Sequence, residues 1–374
     1  MRLVIAVRIV PNKLGSFEDW ILGFASAARA QGHCVTVLTS APVAERLARA
    51  LAARGIAWRN WESLVGSMQS AVRWFQTNAD VVHLSLFAPR HPLCLAAYVA
   101  CGSRVVFQDC SSTPLDRTEQ YRSLRTRLLD RITFAGGVHV VGVSQFVRDR
   151  VAQQFRVRPE RLSTVYNGVD TARFTPSGDA EIRDRDVRTR ILCVAALIPE
   201  KGVDVLLRAL PSLSDLDIEV MIAGEGPERA NLEQLCAKLA QEHRCTFLGI
   251  RNDVQDLLRE SEILVHPARW AEAFGLTIAE GMASGCAVVA SRVGAIPELI
   301  ESGVSGLLFA RDDSADLSAC LRQLIVDREL RLRLGNAART STTRMFELSQ
   351  CIAVHLELVE AILARSERKR SSRI

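Results

Sequence analysis

The sequence predicts an α/β protein built from two doubly wound, Rossmann-like domains. Three observations lead there. Short runs rich in Val, Ile and Leu recur along the whole chain. Each is followed by a segment with helical spacing of apolar residues, and this alternation gives parallel sheets covered on both faces. A polar, charge-dense stretch, TPSGDAEIRDRDVRTR from Thr175 to Arg190, separates six such runs from six more and has the composition of a linker.

In chain order, the first six strands are expected at Leu3–Val10, Val35–Thr39, Asp80–Phe87, Arg104–Gln108, Val138–Val143 and Ser163–Tyr166. The second six are expected at Arg190–Ala195, Ile218–Ala223, Cys245–Gly249, Ile263–His266, Ala287–Ala290 and Gly306–Phe309. Helical patterns fall between them, for instance Val203–Leu210 and Glu228–Gln241. The division is therefore a first domain over 1–174, a linker over 175–189 and a second domain over 190–349. A last helix, from about residue 350 towards 374, is expected to cross back onto the first domain. Ligands of such sheets sit beyond the carboxyl ends of the strands, so two domains facing each other across a cleft would enclose a site from both sides.

Composition narrows the class. The chain has 374 residues, 48% apolar and 24% charged, which is a globular balance. Its longest apolar stretch, Pro92–Cys101, is well short of the roughly 20 residues that a spanning helix needs. Met1-Arg2 runs straight into an apolar strand with no cleavage site. The expectation is a cytoplasmic protein, with membrane association at the inner face as its variant. Ten cysteines are scattered singly with no C-x-x-C pair, which suits buried free thiols better than a disulfide framework or a zinc site. The net charge of +5 owes part to the tail RSERKRSSRI, Arg365–Ile374. That tail reads either as a solvated terminus or as an electrostatic foot on anionic lipid headgroups. Nucleic acid is disfavoured, because aromatic residues are 6% and no stacking platform is visible.

The motifs sit at strand-to-helix loops. Gly15-Ser16 opens the first helix, where backbone N–H groups can approach an anion. No G-x-G-x-x-G follows the first strand, which argues against a standard dinucleotide fingerprint. Lys201-Gly202 lies in the corresponding loop of the second domain. Its lysine is either a point charge for phosphate or a plain surface residue. AGEGP, Ala223–Pro227, is a tight turn into a helix, with Pro227 and Glu228 suited to the first turn. A structural role suffices for it, and a binding role for the Gly224 backbone is the alternative. HPARWAEAFGLTIAEGMASG, His266–Gly285, places Glu272 before a helix expected to start after Gly275, and Glu280 about one turn inside it. The N–H groups of Gly275, Leu276 and Thr277 would then point outward where a pyrophosphate is welcome. Two carboxylates flanking it would accept hydroxyls from a sugar on one side and a ribose on the other. A glycosidase or metal use of the two acids has no supporting motif.

Together these residues resemble the retaining glycosyltransferases of family 4, which have the GT-B fold. The resemblance covers nearly the whole chain. It rests on Gly15-Ser16, DVVH (Asp80–His83), VSQFVRD (Val143–Asp149), VYNGVD (Val165–Asp170), PEKG (Pro199–Gly202), AGEGP, the E-x7-E element from Glu272 to Glu280, and VGAIPELIESGVSGLLF (Val293–Phe309). It implies transfer of a sugar from a nucleotide-sugar, UDP- favoured over GDP-, with retention of configuration and without a metal or cofactor. By the same resemblance Glu272 holds the transferred sugar, Glu280 the ribose, and Lys201 the diphosphate. Gly15, Ser16, Gly224, Ile250, Arg251, Ala273, Phe274, Gly275, Leu276 and Thr277 complete the donor site. Gln108 and Asp109 join Glu272 and Lys201 at the reacting centre, and His83 and Asn167 lie on the acceptor side. The acceptor class, whether a glycan, a lipid-linked sugar or a small molecule, stays open.

Two departures from the family pattern matter. Ala195-Ala196-Leu197 stands where Gly-Arg-Leu is usual, so a diphosphate-binding guanidinium is missing; Arg8, Lys13 and Arg269 are the cations available to replace it. Gln108-Asp109 stands where His-Asp is usual. These departures motivate the alternative reading, a nucleotide-sugar-binding protein of the same fold with impaired catalysis. The arginine-bearing stretch Asp116–Arg131 reads as a solvated helix face or as a greeting surface for an anionic acceptor.

Overall fold

The structure is a computed structural model that describes residues 1–8, 16–39, 45–64, 66–110, 134, 137–177 and 188–371. Gly15, Lys13 and the Asp116–Arg131 stretch lie outside the described residues, as does most of the linker. Two compact units are present: Met1–Gly168 together with Leu348–Ile374, and Val169–Glu347.

Unit 1 is built on seven parallel strands: β1 (Arg2–Val7), β2 (Cys34–Thr39), β3 (Ala57–Asn60), β4 (Val81–Ser85), β5 (Val105–Asp109), β6 (His139–Gly142) and β7 (Leu162–Thr164). Their order is β3-β2-β1-β4-β5-β6-β7. Leu3–Val7 are buried without a break, as a strand covered on both faces requires. The helix Ser16–Ala30 lays Trp20, Ile21, Phe24, Ala25 and Ala28 into this core. The last helix, Leu348–Ser371, lies in the same unit and adds Ile352, Leu356, Val359 and Ile362 at i, i+4, i+7 and i+10. That spacing keeps one apolar stripe on the core side of the helix. Strand β3 had no counterpart in the expected set. It is a four-residue edge strand, AWRN, whose exposed side chains carry no apolar alternation.

Unit 2 holds six parallel strands: β8 (Thr189–Val194), β9 (Ile218–Ala223), β10 (Cys245–Gly249), β11 (Ile263–His266), β12 (Ala287–Ser291) and β13 (Leu307–Phe309). Their order is β10-β9-β8-β11-β12-β13. Both sheets reverse their winding between the first and fourth strands of their own unit, and in such sheets the ligand crevice opens at that reversal, beyond the carboxyl ends.

Three expected site residues of unit 1 turn out to be interior. His83 has no exposed surface; its Nε2 lies 2.9 Å from Nε2 of His355, and its ring packs against Trp20 and Phe24. Its assignment to the acceptor side is therefore corrected: the ring joins β4 to the last helix. Gln108 is also fully enclosed and accepts a hydrogen bond from the Ser85 hydroxyl at 2.7 Å. Asp109 takes a 2.7 Å hydrogen bond from the buried Arg150. Gln108 and Asp109 thus stitch β5 to its neighbours, and neither presents a free group as a reacting acid or base must. Asn167 is half-buried just before the crossing into unit 2. All ten cysteines are free thiols. No helix among the described residues is long and apolar enough to cross a membrane.

Candidate active site

The reversal point of unit 2 lies between β8 and β11. Two loops leave it. After β8 the chain runs through Ala195–Ile198 into a short 3-10 turn, Pro199–Lys201, and then into the helix Val203–Ala209. After β11 it runs from His266 to Glu272 and into the helix Leu276–Ala283. Lys201 and Glu272 come from these two loops, and their side chains form an ion pair. His266, the last residue of β11, places its Nε2 3.1 Å from the same carboxylate oxygen, Oε1. The imidazole therefore carries its proton on Nε2 and donates it. Oε2 of Glu272 has no hydrogen bond among the described residues.

This arrangement fixes the protonation state of Glu272. Burial pushes its pKa up, but the His266 hydrogen bond, with the positive fields of His266 and Lys201, outweighs burial and brings it to about 2. At neutral pH the side chain is a carboxylate that accepts hydrogen bonds and has no proton to give.

The backbone of Glu272 is held as firmly as its side chain. Ala295 N–H donates to the Glu272 carbonyl at 2.9 Å. Gly294 has φ +56°, and a Cβ there would sit 2.4 Å from the Glu272 carbonyl oxygen. Only glycine lets the turn after β12 lie this close. Sequence reasoning assigned no role to Gly294 or His266. The available signals were a glycine three residues past a strand, and a histidine ending a strand six residues before the acid.

Arg269 is not a spare cation. It grips both oxygens of Asp204, at 2.6 and 2.7 Å, and Asp312 at 2.5 Å. These carboxylates, Asp204 first, raise its pKa. The N–H groups of Arg269 and Trp270 both reach the Glu200 carbonyl, at 2.9 and 3.1 Å. Arg269 braces the two loops that carry Lys201 and Glu272, and it does not stand in for the missing guanidinium. Ala196, at the position of that guanidinium, is exposed.

The remaining expected donor residues divide by what they offer. Gly224 N–H donates to the Gly249 carbonyl at 2.8 Å, and a Cβ at Gly224 would lie 1.8 Å from the Ala195 carbonyl oxygen. Its backbone N–H is committed within the fold, so the binding role through that group is corrected to a packing role. Ala273 and Phe274 are buried, with Phe274 edge-on to Phe346 at 5.4 Å. Only their backbone can serve a ligand. Gly275, at φ 104°, starts the Leu276–Ala283 helix, whose first N–H groups have no intrahelical partner. Leu276, Thr277 and Glu280 are half-buried along its first two turns. Ile250 is exposed and Arg251 is paired with Asp253, both in the loop after β10 at the same end of the sheet. Ser16 is the first residue of its helix in unit 1.

The model of "Glycosyl transferases group 1" matches residues 179–341, and that of "Glycosyltransferase Family 4" matches residues 18–173. The gpi3 subunit of phosphatidylinositol N-acetylglucosaminyltransferase from Schizosaccharomyces pombe is 31% identical over 55% of this chain and 44% of its own. D-inositol 3-phosphate glycosyltransferase from Corynebacterium glutamicum is 28% identical over 74% of this chain and 71% of its own. The chain spans about half the length of several curated relatives it matches. Anabaena HepE, solved in complex with UDP and glucose, superposes with a TM-score of 0.78 over 96% of this chain and 99% of its own, at 20% identity. The fold is GT-B.

Proposed function

Because the chain belongs to glycosyltransferase family 4, we propose that it moves a sugar from a nucleotide-sugar, UDP-linked in preference to GDP-linked, onto an acceptor hydroxyl, with retention and without a metal. The observation that carries this reading is the ionised Glu272, held by Lys201 and His266 beside the start of the Leu276–Ala283 helix. A diphosphate placed at that helix start meets orphan N–H groups and the positive end of the helix dipole. Lys201 swings from Glu272 to the phosphate oxygens and stabilises the leaving diphosphate. Glu272, released from Lys201 but still anchored by His266, accepts hydroxyls of the transferred sugar. Glu280, in the second turn of the helix, accepts the ribose hydroxyls. With its pKa near 2, Glu272 is suited to orienting and not to proton transfer. The leaving phosphate oxygen is then the base that takes the acceptor proton on the face it departs from. The UDP and glucose bound to HepE support the choice of donor.

One observation favours a second reading, a protein that binds the donor with little turnover: Ala196 replaces the usual arginine, and Arg269 is locked in a structural brace. Hydrolysis and transfer from a panel of UDP- and GDP-sugars, with and without chelator, separate the two. Turnover that survives chelation supports the transferase reading. Micromolar binding with no turnover of any donor replaces it with the second. Glu280→Ala is expected to weaken UDP binding about tenfold or more through lost hydrogen bonds to a charged acceptor; unchanged affinity refutes the placement of the ribose.

A further inference from the structure

Unit 1 contains a pocket built differently from the candidate active site. A pocket of about 400 Å³ opens where the last helix passes the amino ends of β5, β6 and β7. Its rim carries Arg158 and Arg161, just before β7, and Arg365 and Arg368 from the last helix. Its polar floor includes His139, the first residue of β6, and Ser366, whose hydroxyl lies 3.3 Å from that of Ser103. Glu160 is the single acid lining it, 3.5 Å from Arg158. Among the described residues no carboxylate pairs with Arg365 or Arg368. Arg161 spends one nitrogen on the Gly137 carbonyl.

The sequence of the last helix explains how the pocket arises. Its apolar stripe runs Ile352, Leu356, Val359, Ile362 and is buried in the core of unit 1 beside the helix Ser16–Ala30. One turn further on, the inward position is Ser366, still buried, flanked by the exposed Arg365 and Arg368. The helix outruns the core, and where it does, its inner face changes from hydrocarbon to hydroxyl and guanidinium. Four guanidiniums around one concavity repel one another, and Glu160 beside Arg158 offsets only part of that charge. Arginine forks match phosphate oxygens two at a time, and several forks from different elements suit a tetrahedral dianion better than a planar carboxylate. The volume falls within the range of small-molecule sites.

We propose that this pocket binds a phosphate-bearing ligand, either a phosphorylated small molecule or a phospholipid headgroup. It lies at the opposite edge of the sheet from the carboxyl ends of the strands, so it is separate from the sugar-transfer chemistry and independent of the donor assignment. His139 is a built-in reporter. Burial, and then the charges of Arg161 and Arg365, hold its pKa down to about 4, and a bound anion cancels part of that field and raises it.

The test uses the full chain and Arg365→Ala/Arg368→Ala, two exposed positions whose loss leaves the core intact. Calorimetry with inorganic phosphate and with a hexose 6-phosphate probes the soluble source. Co-sedimentation with phosphatidylcholine vesicles, with and without phosphatidic acid, probes the lipid source. The His139 imidazole is titrated by NMR in each case. Expected is saturable, salt-sensitive binding of one class, about tenfold or more weaker in the double variant, with the His139 pKa rising on binding only in the wild type. Binding of hexose 6-phosphate assigns the soluble source and binding of phosphatidic acid vesicles alone the lipid source; either upholds the pocket. Equal binding by wild type and variant, an unmoved His139, or no binding of any probe overturns it.

Discussion

Glu272→Gln should destabilise unit 2 in a way that depends on pH, and the size follows from the geometry. The carboxylate is largely enclosed and receives Lys201 and His266 on one oxygen. Its pKa falls from 4.5 to about 2. A folded-state pKa depressed below the unfolded value contributes stability that is complete above the unfolded pKa and is lost as pH falls through the folded one. The drop is worth about 3 kcal/mol near neutral pH and shrinks to about 1 kcal/mol near pH 3. Glutamine keeps the shape and removes the charge, so the gap between wild type and variant should follow that curve. The sequence supplies a selective probe: four of the five tryptophans lie in unit 1, and Trp270 alone reports on unit 2. With 5-fluorotryptophan incorporated, the Trp270 resonance followed through urea at several pH values gives the stability of unit 2 by itself. A variant as stable as wild type at neutral pH, or a gap that stays constant down to pH 3, refutes the claim that the charge on Glu272 is held by its two partners.

The remaining predictions concern other parts of the fold. Gly294→Ala places a methyl against the Glu272 carbonyl; donor turnover should fall at least tenfold, by about 1.4 kcal/mol of barrier, while melting of unit 1 is unchanged, as steady-state kinetics and fluorotryptophan melts will show. Gly224→Ala drives a methyl into the Ala195 carbonyl at a left-handed φ and should cost unit 2 about 3 kcal/mol or more, measured by urea unfolding. Burial lowers the pKa values of both His83 and His355, the latter to about 3. Both stay neutral in the folded state while the unfolded chain takes up protons below about pH 6.5, so unit 1 should lose up to about 3 kcal/mol per pH unit in that window. The Trp20 resonance, whose ring lies 5.5 Å from both imidazoles, reads it, and His355→Phe should flatten the profile.

Much of the fold was legible because parallel strands buried on both faces must be continuously apolar. Ile218–Ala223 and Ile263–His266, both largely buried, have the bounds expected from their sequence alone. Where burial is one-sided or absent the signal fades, and the exposed edge strand Ala57–Asn60 carried none. The helix after Gly275 was legible too, since a glycine at positive φ and a following apolar pattern mark a start. Site chemistry was harder to read. His83 lies in the middle of an apolar strand and Gln108 near the end of another, and whether such a polar side chain faces a crevice or an adjacent helix depends on what packs there. For His83 the answer lies 272 residues away at His355, a distance no local pattern spans.

The same logic explains how this chain can depart from its family's pattern at two positions and keep its fold. At position 108 the glutamine accepts from Ser85 within the interior, so it satisfies a neutral, buried hydrogen bond that an ionisable ring would hold only while uncharged. At position 196 an exposed alanine removes charge without leaving a buried group unpaired, so stability is indifferent and the whole effect falls on ligand binding. The loop pair that carries Lys201 and Glu272 is braced instead by Arg269 through Asp204, Asp312 and the Pro199 carbonyl. A guanidinium in that brace fixes the spacing of the two loops, and with it the reach of Lys201. Arg269→Lys keeps the charge and loses the fork. The loops should then loosen, the KM for the donor should rise, and the pH dependence set by Glu272 should be left in place.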